Sequence, residues 1–357
     1  MTIKLYPFPS FLHPAFGNSV SVLPLTRDGV RLVPSGELVP TEEASFAELT
    51  IRTGHNQQQA RGICGLVAAS AFLDGTVHPH EKTLLARLQR QEATVLADGG
   101  ALGKPVLLTA PNLNEWWQKV DSDYHLSDKK VIYNGQNNDY QLRTFQPKSE
   151  AGTAPLSLDF AGPLVIADGH HRAETHARLS SKGERVCDFI PVCIIGGNEL
   201  TIGAFTRVVD YERPLPELLS GLREFFSYEA VESPLAPTQA GEWLMVFEGS
   251  YYRLLRKADN DKSIDSEWLD HTVLPRTFGI EDTRTDARIV FEPTPDPQDG
   301  ILQFPSEAGK VYLCGFPLPV DSFFAEVKAG HCLPPKSTRF EPRVPSGLVV
   351  WQPQRTS

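Results

Sequence analysis

The spacing of apolar and polar positions changes repeatedly along the chain, and each change marks a strand or a helix. Residues 1–60 read as short strands and loops: Ser19-Val20-Ser21-Val22-Leu23-Pro24-Leu25 alternates in part, and Pro and Gly punctuate the rest. The run 62–69 is apolar throughout and fits either a buried strand or a helix segment. After the turn Asp74-Gly75, residues 81–95 have helical composition, with Leu84, Leu85, Leu88 and Val95 on one face and Arg87, Arg90 and Gln91 turned outward. A strand is expected at 105–108 and a helix at 112–120, containing Trp116 and Trp117. Residues 134–159 are polar and irregular, a loop or a hairpin.

The sharpest change of period follows. Residues 163–167 form an apolar strand, 168–171 a turn, and 172–179 a helix that stops near Gly183. Strands are expected at 189–195 and 201–211. Pro214, Pro216, Pro234 and Pro237 surround a helix at 217–226, and a soft boundary there divides the chain into 1–212 and 213–357. In the second part, 241–249 and 251–257 read as a hairpin, 308–316 as a strand and 321–329 as a helix. The fold class is α+β, with no internal repeat and no low-complexity tract.

Composition narrows the function. Of the 357 residues, 41% are apolar and 22% charged, which is ordinary for a globular protein. The formal net charge of −10 argues against a general grip on nucleic acid but leaves room for a local cationic pocket. No run approaches the ~20 apolar residues of a membrane span. The start lacks a basic segment followed by an apolar one, so the cytoplasm is the expected location. Five cysteines without a C-x-x-C pair suggest reduced, mostly buried thiols.

Three segments could carry chemistry. The first is the turn Asp168-Gly169-His170-His171-Arg172 between a strand and a helix. The helix start points N–H groups at one spot and favours an anion there. Arg172 can fork onto phosphate oxygens, and Asp168 can serve as a metal ligand or orient a histidine. Against this, Asp is a common helix cap and a histidine is often structural. The second is His78-Pro79-His80-Glu81-Lys82-Thr83, with Glu81 in the first turn of a helix, where an acid also simply complements the dipole. The third is Pro334-Pro335-Lys336-Ser337-Thr338-Arg339, a phosphate cradle or an exposed polar loop. The run 99–105 is not a P-loop, since Pro105 stands where Ser or Thr would hold magnesium. A zinc site from His78, His80, His170, His171 and His176 is weakly supported, because HEKTL is not H-E-x-x-H.

Taken in order, TVHPHEKTL (76–84), IADGHHRAETHA (166–177) and LPPKSTRFEPRVPSGLVVW (333–351) resemble the bacterial domain-of-unknown-function family numbered 1015, which is related to the free serine kinases. The resemblance runs from about Arg61 to Trp351. It implies a mixed sheet of the ParB/sulfiredoxin type with flanking helices and a C-terminal α+β lobe that returns the PKST loop to the site. It also implies transfer of a phosphoryl group from ATP or ADP, with Mg²⁺, to the hydroxyl of free L-serine or a related hydroxy amino acid. Glu81 then matches the catalytic base, and Asp168 an essential aspartate and metal ligand. Gly169, His170, His171 and Arg172 match the phosphate grip, and Lys336, Ser337, Thr338 and Arg339 a second segment closing over nucleotide or product. The chain departs from the family pattern at Ala173, where an aromatic is usual, and lacks a Pro-Pro-Tyr-Asp-like stretch near the start. Glu81 and Asp168 are 168 − 81 = 87 residues apart, longer than in the compact kinases, so residues 97–160 read as an insertion. Two other readings stay open: a ParB-like nucleotide switch or NTPase, and a different acceptor or reaction on the same scaffold. Neither nucleic acid nor membrane is expected as a partner.

Overall fold

The computed structural model describes residues 2–17, 19–20, 26–27, 31–32, 38–54, 58–81, 85–135, 137–148, 154–258, 261–305 and 307–353. The chain divides into two compact units. The first comprises Met1–Thr201, Phe324–Cys332 and Pro342–Ser357, and the second Ile202–Phe323 and Leu333–Glu341.

A nine-stranded mixed sheet organises the first unit. Its strands in chain order are β1 (Ser19–Val20), β2 (Phe46–Thr53), β3 (Gln59–Ala68), β4 (Val77–His78), β5 (Val106–Ala110), β6 (Tyr124–Asn134), β7 (Asn138–Pro147), β8 (Leu164–Asp168) and β9 (Phe189–Gly196). Across the sheet they run β1-β6-β7-β2-β3-β9-β5-β8-β4. The pairs β5/β9, β8/β4 and β6/β1 are parallel, and the other pairs are antiparallel. The apolar run at 62–69 resolves as β3. Its residues from Ile63 to Val67 are buried on both faces, which explains a continuous apolar stretch without alternation.

Three helices flank this sheet: α1 (Leu85–Ala97), α2 (Asn114–Asp123) and α3 (His170–Ser181). Small residues let α3 lie close, with Ala173 and Ala177 fully buried in the sheet's core cluster. From α2 the buried groups are Trp116, Trp117 and Val120. The described part of α1 begins at Leu85, and Glu81 is a bridge residue rather than a helical one. Lys82, Thr83 and Leu84 of the expected helix fall outside the described residues.

Residues 97–160 supply β5, α2, β6 and β7, and so contribute several strands of the central sheet. The polar stretch near 134–159 includes all of β7, which pairs with β6 as a long hairpin. Its pattern is hard to read because the register shifts between Leu126 and Lys130, and most of β6 is not buried. The C-terminal segment returns to this unit: Leu12 pairs with Val350, and Leu102 with Trp351.

The second unit is built on an antiparallel six-stranded sheet. Its strands are β10 (Phe205–Asp210), β11 (Phe226–Val231), β12 (Glu242–Phe247), β13 (Ser250–Arg256), β14 (Ile289–Pro293) and β15 (Lys310–Gly315), in the order β11-β13-β12-β15-β10-β14. The hairpin β12/β13 closes through Glu248-Gly249, both at positive φ (48° and 76°), the twist that a two-residue hairpin turn needs. Trp243, Trp268, Phe226 and Leu254 fill its core. Among the described residues no helix is long and apolar enough to cross a membrane.

Candidate functional site

Strand β8 delivers Asp168 at its last position, and α3 starts two residues later at His170. Between them Gly169 adopts φ +102°, a conformation L side chains rarely take. A Cβ there would also sit 2.6 Å from Arg172 Nη2, so glycine is required both by the turn and by the arginine lying across it.

Arg172 is buried and folds back onto the turn. Its Nη2 donates to Asp168 Oδ2 at 3.3 Å and to the Pro105 carbonyl at 3.3 Å. Its Nε is buried without a hydrogen-bond partner among the described residues. Lys104 Nζ reaches the same carboxylate oxygen at 2.8 Å. Burial alone would push the Asp168 pKa up, but the charges of Arg172, Lys104 and Arg343 outweigh it and hold the group well below the usual carboxylate range. Burial pulls the Lys104 pKa below its usual value even with Asp168 beside it. One carboxylate therefore stands among three cationic side chains at the start of a helix.

Lys104 and Arg343 arrive from far along the chain. The Gly347 N–H donates to the Gly103 carbonyl at 2.8 Å, and Leu102 and Trp351 exchange main-chain bonds, so the C-terminal segment braces the loop that carries Lys104. The Tyr140 hydroxyl donates to the Arg343 carbonyl at 3.2 Å. Neither cation was identified from local sequence. Lys104 lies in the rejected P-loop stretch, and Arg343 in the tail segment without an assigned role. Only tertiary pairing picks them out.

On the other side of the turn, His170 lies with its Nδ1 3.7 Å from Glu81 Oε1, a contact longer than a hydrogen bond. The main-chain N–H of His80 donates to His170 Nε2 at 3.4 Å, which leaves the proton on Nδ1, facing Glu81. Burial, reinforced by His80, keeps the His170 pKa well below the usual value despite Asp168, so the ring is neutral. The His80 ring stands edge-on to it, centroids 4.4 Å apart, and its Nδ1 donates to the Ile166 carbonyl at 2.6 Å. Burial lowers the His80 pKa to about 4. His171 is half-buried on the first turn of α3.

The remaining sequence candidates belong to the second unit. There Lys336 takes a left-handed φ of 63° and lies 5.0 Å from the centre of the Phe205 ring. Ser266 donates to the buried Ser337 at 3.1 Å, and Arg339 bonds Glu341 at 3.1 Å and the Thr294 carbonyl at 3.4 Å. Thr338 sits between them in the same loop.

Magnesium is implied by the resemblance, with Asp168 as a ligand. The Asp168 oxygen is already engaged by Lys104 and Arg172, and among the described residues no three His, Cys, Asp or Glu side chains cluster as a metal site. The protein's own donors do not fit a resident magnesium ion. What the arrangement can do is hold an anion beside a carboxylate that faces a neutral imidazole.

Fold and site together define an α+β protein whose strand–turn–helix holds one carboxylate among three cationic side chains. The family described as "Protein of unknown function (DUF1015)" matches residues 30–275, and the chain belongs to it. No curated protein matches the sequence. Among solved structures, the chain is similar to SbnI with a C-terminal truncation from Staphylococcus aureus, at 15% identity over 80% of this chain and 86% of that one, TM-score 0.46. A free serine kinase variant in complex with ADP matches at 16% identity over 79% and 91% of the two chains, TM-score 0.39. A conserved hypothetical protein from Pyrococcus furiosus matches at 15% identity over 79% and 93%, TM-score 0.38.

Proposed function

We propose that the chain is a small-molecule kinase that transfers a phosphoryl group from ATP or ADP to the hydroxyl of free L-serine or a related hydroxy amino acid. The observation that carries this reading is the excess of cation around Asp168, from Lys104, Arg172 and Arg343, with Glu81 on the other side of the same turn. Phosphoryl transfer asks for that combination: neutralised phosphate oxygens, fixed geometry and an oriented hydroxyl.

In this reading the three cations and the first N–H groups of α3 hold the phosphate chain. Asp168 keeps Lys104 and Arg172 in place. As the acceptor oxygen forms its bond to phosphorus, its proton passes to Glu81. The bond from phosphorus to the bridging oxygen breaks, and the nucleotide leaves with one phosphate fewer. His170, neutral and with its Nδ1 facing Glu81, packs beside that carboxylate and limits its movement.

Phosphorus NMR of the purified protein with Mg²⁺, ATP or ADP and a panel of hydroxy amino acids led by L-serine tests the proposal. A new phosphomonoester is expected, reduced about 10²- to 10⁴-fold in rate by Glu81→Gln with nucleotide affinity retained. Unchanged turnover would remove Glu81 from the reaction. Nucleotide binding without any new ester would favour the switch reading.

A further inference from the structure

His176 lies on α3 one turn after Arg172 and is wholly buried. Its ring spans two main-chain carbonyls. Nδ1 lies 3.1 Å from the Arg172 carbonyl oxygen, within the same helix, and Nε2 lies 3.3 Å from the Gly100 carbonyl oxygen. Burial lowers the His176 pKa even with both carbonyls beside it, so the ring is neutral and has one N–H to give. The Arg172 carbonyl already accepts the main-chain N–H four residues on, as a carbonyl inside an α-helix does. Gly100 is buried, and its carbonyl has no other donor among the described residues. A proton on Nε2 therefore satisfies the carbonyl that would otherwise be left without a partner.

Gly100 opens the loop that carries Lys104. The start of this loop hangs from α1, where the Gly100 N–H donates to the Val95 carbonyl at 2.8 Å. Gly100 takes φ +78°, and a Cβ there would meet the Val186 carbonyl oxygen at 2.6 Å, so only glycine allows this close approach. At the other end of the loop, the Pro105 carbonyl accepts from Arg172 Nη2 at 3.3 Å. Helix α3 thus grips the loop at both ends, through two side chains one turn apart. Lys104 Nζ, between the two grips, reaches Asp168 Oδ2 at 2.8 Å.

We propose that His176 is a positioning residue for Lys104: its Nε2–H fixes the Gly100 carbonyl, and with it the course of the loop on which Lys104 meets Asp168. Without this tie the loop moves off α3, and Lys104 leaves Asp168 part of the time. The consequence for binding rests on the reading of Lys104, Arg172 and Arg343 as the phosphate grip.

Amide hydrogen exchange over residues 99–105, together with calorimetric titration of the magnesium complex of ADP, tests this on the full chain. Asn at position 176 is too short to reach Gly100, Leu cannot donate, and Gln is long enough to donate in place of Nε2. His176→Asn and His176→Leu are expected to speed exchange in the loop about tenfold, with the amides of β8 unchanged. Both should weaken nucleotide binding about fivefold, as for one lost hydrogen bond. His176→Gln should bring both readouts back to within about twofold of the wild type. In a Lys104→Met background, His176→Asn should change affinity by less than about twofold, because it acts through Lys104. Unchanged loop exchange in the Asn and Leu variants, Gln no better than Asn, an undiminished effect in the Lys104→Met background, or failure of both the Asn and Leu variants to fold would each overturn the proposal. If the wild type binds no nucleotide, the kinase reading falls, and loop exchange with its rescue by Gln decides the role of His176.

Discussion

Two arginine–aspartate pairs, one in each unit, differ in how completely the charges are matched. In the second unit Arg207 and Asp270 are both almost wholly buried, and the guanidinium donates to both carboxylate oxygens at 3.2 and 3.4 Å. Arg207 spends a further N–H on the Phe205 carbonyl at 3.1 Å and packs 5.2 Å from the Phe291 ring centre. One charge meets one charge. A π-helical turn, Leu269–Val273, carries Asp270. In the first unit Arg172 shares a single oxygen of Asp168 with Lys104, Arg343 adds a third positive charge, and the arginine Nε is left without a partner among the described residues. A balanced pair uses up its own charge. An unbalanced one, set at a helix start, keeps capacity for an anion that the protein does not itself provide.

The comparison can be broken in order of expected effect. Asp270→Ala strands a buried guanidinium and should cost about 3–5 kcal/mol in urea unfolding. A loss near zero would mean that the pair is not the closed structural unit described here. Next comes acid. His80 is neutral in the fold, with its pKa lowered to about 4 by burial. As pH falls below the usual histidine value, the unfolded chain takes up a proton that the folded chain refuses, so stability drops between roughly pH 6.5 and 4, by about 3 kcal/mol from this residue. His170 adds in the same direction. Below the usual carboxylate value Asp168 contributes a further loss, because its folded-state pKa is held down. Chemical denaturation across that range measures the slope, and His80→Gln should flatten it. Smaller again is Lys104→Met, which removes one of the three cations while keeping the stem. Nucleotide affinity should fall about tenfold, as expected for one charge-assisted hydrogen bond.

Parts of this were legible in the sequence for physical reasons. The strand–turn–helix around Asp168 could be read because a short, wholly apolar run at 163–167 gives way there to a polar helical stretch, and a glycine stands at the change. The hairpin β12/β13 could be read because Glu248-Gly249 is turn chemistry between two apolar runs. The hairpin β6/β7 was obscured, since the shifted register near Leu126 breaks the alternation that a strand reading needs. Glu81 was read into the helix, because composition carries no trace of the contact between His80 and His170 beside it. Lys104 and Arg343 are the clearest loss. Their proximity to Asp168 depends on sheet order and on the C-terminal segment returning to residues 102–103, which no local pattern encodes.

The most direct test of the central claim is a calorimetric titration of the magnesium complexes of ATP and ADP into the wild-type chain and into Arg172→Ala. The account predicts binding by the wild type and a loss of about 1.5–3 kcal/mol in the variant, because one arm of the cation cluster is gone. Nucleotide binding of equal strength in both would contradict it, and would make the cluster around Asp168 as purely structural as Arg207 and Asp270.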